Sequence, residues 1–327
     1  LKVRYRCSGR AKWSIVVAVV GLALAAPTVA AALDWTRSTV DIEVGRRGTS
    51  LALDSSGHPH VAYHGPGRGL LYARWEADAW IVTVVDRGDD AGWYPSLALD
   101  ANDRPHISYL APGSTSELRY AERTGSAWNI EVVDSTGDTG TIPVVPNGQD
   151  PQPVTALVLD ATDRPHIAYY GGDGLGLEYA SSTAEGWEIE TVDSGGSGAA
   201  DVGWFVAMAM DSSDRPHISY HDHTNATLKY ATHDGATWTT TVVRGARIQP
   251  SSGHFTSIAL DPAGNPHISS MRVIGPEDNL MYSVWDGFRW TTELVDTGDS
   301  LSVAIGTGTD GWLLDGIVPS AGGWSSV

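Results

Sequence analysis

The sequence predicts an all-β chain made of repeated four-stranded units, and three observations predict it. One phrase returns five times: LALDSSGHPHVAY from Leu51, LALDANDRPHISY from Leu97, LVLDATDRPHIAY from Leu157, MAMDSSDRPHISY from Met208 and IALDPAGNPHISS from Ile258. Each copy is followed by a strand of the form Leu-x-Tyr-Ala, loosest in the first and last units. Its Tyr lies eight residues before a Trp, in the pairs Tyr72/Trp80, Tyr120/Trp128, Tyr179/Trp187, Tyr230/Trp238 and Tyr282/Trp290. Nowhere does an apolar period of 3.6 persist beyond a turn or two, so helix content is expected to be very low. Self-similarity on this scale means that each unit is one supersecondary element that buries its apolar face only against its neighbours.

The elements follow in chain order. Residues 1–32 are expected to stand apart from the fold. Lys2, Arg4, Arg6, Arg10 and Lys12 are basic, Trp13 to Ala26 is apolar, and Pro27 precedes the small-residue stretch Thr28 to Ala32. That layout predicts a secretory signal peptide cut after Ala30 or Ala32, with an uncleaved membrane anchor as the alternative. The single cysteine, Cys7, lies inside this leader, so residues 33–327 carry no disulfide. Trp35–Val40, with Asp41 following, reads as an orphan fourth strand. In four of the five full units a first strand with a small central residue (Ala52, Ala98, Ala209, Ala259) suits a crowded innermost position.

That first strand ends in Asp, whose carboxylate can accept hydrogen bonds from the turn after it. Three residues on stands Gly57, Asp103, Asp163, Asp214 or Gly264, the residue types that best tolerate positive φ. Pro then opens the second strand, where a missing N–H is tolerable. The constant Tyr-to-Trp spacing fixes the hairpin between the third and fourth strands, with Asp234-Gly235 and Asp286-Gly287 as turns. In the fourth strand Trp128, Ile130 and Val132 point one way and Asn129 and Glu131 the other, as on a sheet with one wet face. Insertions, notably Ser135–Pro153, fall after the fourth strand and should be loops on one rim.

Four-stranded units of this length around an axis make a β-propeller. Six blades are expected: five full repeats, and a sixth completed by terminal strands. Val303–Gly306 and Trp312–Asp315 align there as degenerate first and second strands, while Gly322-Gly323-Trp324 looks like the start of a further fourth strand.

The D-x4-P-H-[IV]-[AS]-Y phrase, with L-x-Y-A and a Trp-initiated outer strand, resembles the secreted bacterial propeller repeats grouped with the sialidase-like superfamily. The resemblance covers residues 35–300 and implies the propeller architecture. The turns Asp234–Trp238 and Asp286–Trp290 are similar to degenerate Asp boxes, lacking the leading Ser and the Asp-x-Gly spacing. In that superfamily Asp boxes are structural, and sialidase activity would need several converging arginines. Arg104, Arg164 and Arg215 share one repeat position and so radiate around the ring instead.

Net charge bounds the partners. The chain carries −18 at pH 7, and the leader holds five of its 21 Lys and Arg and none of its 39 Asp and Glu. The remaining chain is therefore at about −23, a surface that repels phosphate backbones and anionic membranes. Nucleic acid and membrane insertion after leader removal are not expected. Glycans, cations and extracellular or cell-surface proteins remain.

Candidate site residues fall into four groups. The repeated Asp54, Asp100, Asp160, Asp211 and Asp261, with His60, His106, His166, His217 and His267, occupy one place per blade. They are read as structural, each His bonding a neighbouring strand or the repeated Asp to lock blade to blade. His221 and His223 break the repeat and, two apart on an extended segment, point to one side as a candidate metal pair, with solvated loop histidines as the alternative. The aromatic pairs Trp93-Tyr94, Trp204-Phe205 and His254-Phe255 precede innermost strands near the channel mouth, as stacking surfaces for sugar rings or as plugs between blades. Asp89, Asp90, Asp138, Asp150 and Asp201 decorate the same connections and leave Ca²⁺ open, although no D-x-D-x-D-G loop appears and no cofactor is expected.

There is no G-x-S-x-G, H-E-x-x-H or Walker loop. The expectation is a secreted or envelope-located, monomeric, non-enzymatic binding module for a glycan or surface protein. The alternative is a glycoside hydrolase or lyase of sialidase-like type at the channel mouth, its carboxylates drawn from different blades.

Overall fold

The computed structural model describes residues 38–327 other than 46, 89–90, 113–115, 136–153, 172–175, 197–200, 246–250, 275–276, 298–301, 309–310, 321–322 and 327. The leader, Trp35, Asp89, Asp90, Asp138 and Asp150 lie outside the described residues. Five four-stranded antiparallel sheets follow one another, running β1 (Thr49–Leu53) to β4 (Ala79–Asp86), β5 (Trp93–Leu99) to β8 (Ala127–Asp134), β9 (Thr155–Leu159) to β12 (Gly186–Asp193), β13 (Val202–Met210) to β16 (Trp238–Gly245) and β17 (Ser251–Leu260) to β20 (Trp290–Thr297). The first strands β1, β5, β9, β13 and β17 touch in series and so line the axis.

The second strands β2 (Pro59–Gly65), β6 (Pro105–Ala111), β10 (Pro165–Gly171) and β14 (Pro216–Asp222) are buried at every residue, which is why the Pro-His phrase runs on as an unbroken apolar segment. The fourth strands are largely exposed and end in buried positions, as at Val133 and Asp134.

The repeated turn forms as its chemistry predicts. In blade three the Asp160 Oδ1 accepts the N–H groups of Thr162 (2.8 Å) and Arg164 (3.0 Å), and the Arg164 guanidinium closes on Oδ2 at 2.7 Å. The residue three on is left-handed throughout: Gly57 at φ 81°, Asp103 at 60°, Asp163 at 63°, Asp214 at 56° and Gly264 at 82°. Where that residue is Asp it reaches the neighbouring blade. Asp103 accepts the Ser55 N–H at 2.7 Å, Asp163 the Ala101 N–H at 3.1 Å and Asp214 the Ala161 N–H at 2.9 Å.

The repeated histidines bond inside their own blades. His60, His166 and His217 each lie 2.5 Å through Nδ1 from the hydroxyl of Tyr72, Tyr179 or Tyr230, and His106 and His267 meet Tyr120 and Tyr282 the same way. Their Nε2 atoms face the repeated Asp at 3.3–3.7 Å. Burial pushes the pKa of His60, His106, His166 and His217 down, so the rings are neutral. The lock between blades is made one step further out, where Tyr72, Tyr120, Tyr179 and Tyr230 meet Trp128, Trp187, Trp238 and Trp290 of the next blade with ring centroids 4.9–5.3 Å apart.

A second lock joins blades at the opposite rim. The Asp ending one fourth strand accepts the hydroxyl of the Tyr in the next blade's second strand: Asp86 from Tyr109 (2.8 Å), Asp134 from Tyr169 (2.7 Å) and Asp193 from Tyr220 (2.6 Å). Burial and the facing carboxylate raise the pKa of these tyrosines, which stay protonated and donate. Asp41 accepts from Tyr63 at 2.8 Å, and Trp80 Nε1 donates to Ser38 Oγ at 2.9 Å. The N-terminal segment thus meets blade one as Glu131 and Asp134 of β8 meet blade three, where Trp187 donates to Glu131 at 3.0 Å.

The blade count differs from the expectation: five complete blades form, not six. After β20 comes a three-stranded sheet, β21 (Ser302–Gly308), β22 (Gly311–Ser320) and β23 (Gly323–Ser326). Gly323 and Trp324, expected to begin a fourth strand, pair directly with β22 as the third. Of the expected orphan strand Trp35–Val40 only residues 38–40 are described, with a bridge at Thr39.

Two outcomes follow. His166→Ala leaves the Tyr179 hydroxyl without its partner and opens a gap beside Asp160, which keeps Thr162 and Arg164, and is expected to lower the unfolding free energy by about 2–3 kcal/mol, read from the shift in the urea midpoint. Glu178 is buried beside Asp134, and burial first, then that charge, lifts its pKa to about 7 against the pull of a Thr191 hydrogen bond. A carboxyl raised in the folded state lends stability below its unfolded pKa and loses it as pH climbs through the folded value. Glu178→Gln should therefore match the parent at pH 5 and exceed its stability by about 2 kcal/mol at pH 8, measured by denaturation at both pH values.

Candidate functional site

The aromatic pairs gather at the rim that carries the connections between blades, and a glycine places each of them. Gly92, Gly203 and Gly253 precede Trp93-Tyr94, Trp204-Phe205 and His254-Phe255 at φ +99°, +103° and +94°. A Cβ there would lie 2.7, 3.0 and 2.8 Å from the Cα of Leu70, Leu177 and Leu228 in the preceding blade. The second aromatic of each pair is itself left-handed, with φ 51° at Tyr94, 54° at Phe205 and 50° at Phe255. The ladder slips at these points, between Trp93 and Ser96, Trp204 and Ala207, and His254 and Ser257. Such a bulge breaks side-chain alternation and re-aims the side chains flanking it. The strain of a non-glycine residue at positive φ is about 1–3 kcal/mol, offset by burial of Tyr94 and Phe205.

The structure brings six predicted residues into contact where blades four and five meet. His223 stacks on Trp204 with centroids 4.1 Å apart and planes at 10°. Phe205 meets Phe255 at 4.6 Å and His254 at 5.1 Å, and His221 meets His254 at 4.4 Å. Trp93 and Tyr94 belong to blade two but join the same apolar cluster as Trp204 and Phe205.

The faces proposed for sugar stacking are already covered. Trp204 is 2% exposed, lies under His223 and donates Nε1–H to Asp201 at 2.6 Å. The Arg47 guanidinium sits 3.6 Å over the Trp93 ring. These aromatics plug the junctions between blades.

The histidines of this cluster are neutral or exposed. His221 is fully buried, with Nδ1 2.7 Å from the Ser252 carbonyl, and burial followed by the His254 charge pulls its pKa well down. Burial and then His223 bring His254 to about 4. His221 and His223 lie 5.9 Å apart with rings at 74°. Among the described residues no three His, Cys, Asp or Glu side chains are grouped to hold a metal ion. Asp201, the one described member of the candidate Ca²⁺ set, uses its carboxylate on Trp204 and its carbonyl on the His223 N–H at 2.9 Å.

A cleft of about 330 Å³ opens instead at the opposite rim, between blades one and two, lined by His60, Tyr72, Arg74, Asp103, Arg104 and Arg123. Two of its arginines break the repeat. Opposite the repeated His stands Arg74 in blade one, but Glu122, Ser181, Thr232 and Val284 in the other four. Opposite the repeated Trp stands Arg123 in blade two, with Ser182, His233 and Trp285 in the three that follow. Arg104 is held by Asp100 and Arg74 by Glu76, while Arg123 lines the cleft beside Tyr72. The result is a half-open wall of guanidinium donors over the His60 and Tyr72 rings. The sequence reading passed over Arg74 and Arg123; the signal was their departure from the repeat, visible once units are aligned on His and Trp.

No protein-family model matches the chain, and no curated protein matches it. Solved structures do. A protein of unknown function from Dyadobacter fermentans superposes with a TM-score of 0.59 at 10% identity, over 86% of this chain and 92% of that one. An ulvan lyase bound to -[GlcA(1-4)Rha3S]- gives 0.55 at 12% identity, over 85% and 76%. A variant of the Aleuria aurantia lectin in complex with Fucalpha1-6GlcNAc gives 0.52 at 13% identity, over 86% and 95%. Likeness at these identities is one of fold, and the fold is the β-propeller.

The glycine before each aromatic pair yields a direct check. Gly92→Ala combines a positive φ with a Cβ pressed on the Leu70 backbone, and should cost about 2 kcal/mol or more, seen as a lowered melting temperature.

Proposed function

We propose that this chain is a glycan-binding β-propeller without catalytic activity, acting as a monomer outside the cytoplasm under the direction of its leader. The observation that carries the reading is the cleft between blades one and two. Its guanidinium groups present N–H donors to sugar oxygens at the mouth of a cleft whose floor is closed by the buried Tyr72 and His60, and donor groups that fix a ligand's orientation are what a carbohydrate pocket needs. The propeller fold shared with a lectin bound to Fucalpha1-6GlcNAc is consistent with that use. The Asp-Gly turns that resemble degenerate Asp boxes agree with a structural role: Asp234 caps the amides of Ala236 (2.9 Å) and Thr237 (2.8 Å).

The binding reading is favoured over hydrolysis or elimination by how the cleft spends its acid–base groups. Retaining and inverting glycosidases need two carboxyl groups free to act across the bond. Asp103 uses both oxygens on Ser55, at 2.7 Å to N and 2.6 Å to Oγ. His60 is held between Tyr72 and Asp54. The cleft is built to hold a ligand.

The test is an array of neutral and acidic glycans probed with the purified protein, followed by calorimetry on the best binder. Arg123→Ala should reduce its affinity tenfold or more while leaving the melting temperature within about 2 °C. Absence of any glycan signal, or full affinity in the variant, would remove the proposal. Release of new reducing or unsaturated ends from the bound glycan would replace it with an enzymatic one.

A further inference from the structure

One junction lacks the Asp–Tyr lock, and both halves are missing together. The fourth strands of blades one to three end on Asp86, Asp134 and Asp193, each accepting a hydroxyl from the next blade's Tyr109, Tyr169 or Tyr220. At the junction of blades four and five the same two positions hold Arg244 and Ser270. A cation has replaced the anion, and the tyrosine that would have met it is gone.

A second arginine shares this corner. Arg244 lies opposite Leu228 on β15 (Thr227–His233), and Arg272 on β18 (Pro266–Ile274) lies opposite Ser252. The Ser252 N–H donates to the Ala226 carbonyl at 3.1 Å, which sets Ser252 of blade five against the start of β15 in blade four. The two guanidinium groups therefore come from both sides of one junction. Burial, and after it the Arg272 charge, lowers the pKa of Arg244. Neither arginine has a carboxylate partner among the described residues, in a chain with 39 Asp and Glu against 21 Lys and Arg. Two half-buried cations that face one junction are costly without a counter-charge.

We propose that Arg244 and Arg272, at the junction of blades four and five, form an oxyanion-binding site for a sulfate or carboxylate group. Guanidinium forks match both shapes in bidentate fashion. The site lies on the rim opposite the blade one–two cleft and stands independently of it. The negative net charge of the chain does not forbid it, because charges beyond about 8 Å are screened at physiological salt.

The experiment uses the whole protein with three probes at matched ionic strength: sodium sulfate, sodium glucuronate and a sulfated oligosaccharide with its desulfated form as control. Calorimetry should show saturable binding of at least one anion. Arg272→Ala should weaken it tenfold or more. Arg244→Asp combined with Ser270→Tyr rebuilds the lock of the other junctions, so this variant should fold at least as stably as the parent and lose the anion response. Binding of inorganic sulfate as tight as that of the sulfated oligosaccharide assigns the site to a free ion, and tighter binding of the oligosaccharide assigns it to a glycan. Either result upholds the site. Absence of saturable binding by every probe, or an equal response from the rebuilt-lock variant, as a general salting effect gives, overturns it.

Discussion

Each innermost strand ends on a carboxylate, and that one group organises a blade from the inside out. Its Oδ1 closes the turn into the second strand, and its Oδ2 faces the His that begins that strand. The other ring nitrogen of the His meets a Tyr from the third strand, and the Tyr ring stands edge-on to the Trp of the next blade's fourth strand. Burial works against ionising the carboxyl, but the turn amides and the Arg four residues on outweigh it, holding Asp211 at about 2. Ionised at any physiological pH, the carboxylate keeps the whole relay in one arrangement. One side chain thus connects all four strand positions across two blades.

A residue with so many partners is not available for chemistry, and this explains why the sites proposed here lie where the repeat gives way. At the blade one–two junction the framework of Asp, His, Tyr and Trp is intact, and only the residues facing it change, to Arg74 and Arg123. At the blade four–five junction the second lock itself is replaced, Asp by Arg244 and Tyr by Ser270. The first change decorates the scaffold. The second removes a structural interaction, and the aromatic cluster of Trp204, Phe205, His254 and Phe255 packs the same junction.

The fold was legible because its signals are local: Asp, a turn residue tolerant of positive φ, Pro-His and the Tyr-to-Trp spacing all act within one unit. The count of complete blades was not, since it rests on pairing between distant termini, where Thr39 makes one bridge and β23 takes the third place. The aromatic pairs were legible as residue types, and all three contribute to one cluster. Their exposure was not, because His223 and Arg47 come from other segments to cover Trp204 and Trp93. Gly92, Gly203 and Gly253 carried the missing clue, since a glycine before two aromatics marks the bulge that turns them into the junction. The expectation that His locks blade to blade was right about its partners and one residue short about the lock, which passes through Tyr to Trp.

Valency follows from the same contrast between repeated and unrepeated residues. Repeat proteins that bind through the repeated positions offer several equivalent pockets, and avidity multiplies a weak individual contact. Here the positions that would line equivalent pockets diverge in chemistry. The place held by Arg74 becomes Glu122, Ser181, Thr232 and Val284, and that of Arg123 becomes Ser182, His233 and Trp285. A ligand that needs the Arg74–Arg123 wall finds Glu122 and Ser182 at the next junction and Thr232 and Trp285 at that of blades four and five. Among the described residues the proposed site is therefore single, and any affinity it has must come from the quality of its own contacts. Guanidinium groups held by Asp100 and Glu76 supply that quality: the long side chains of Arg104 and Arg74 are ordered before a ligand arrives, and the entropy of fixing them is not charged to binding.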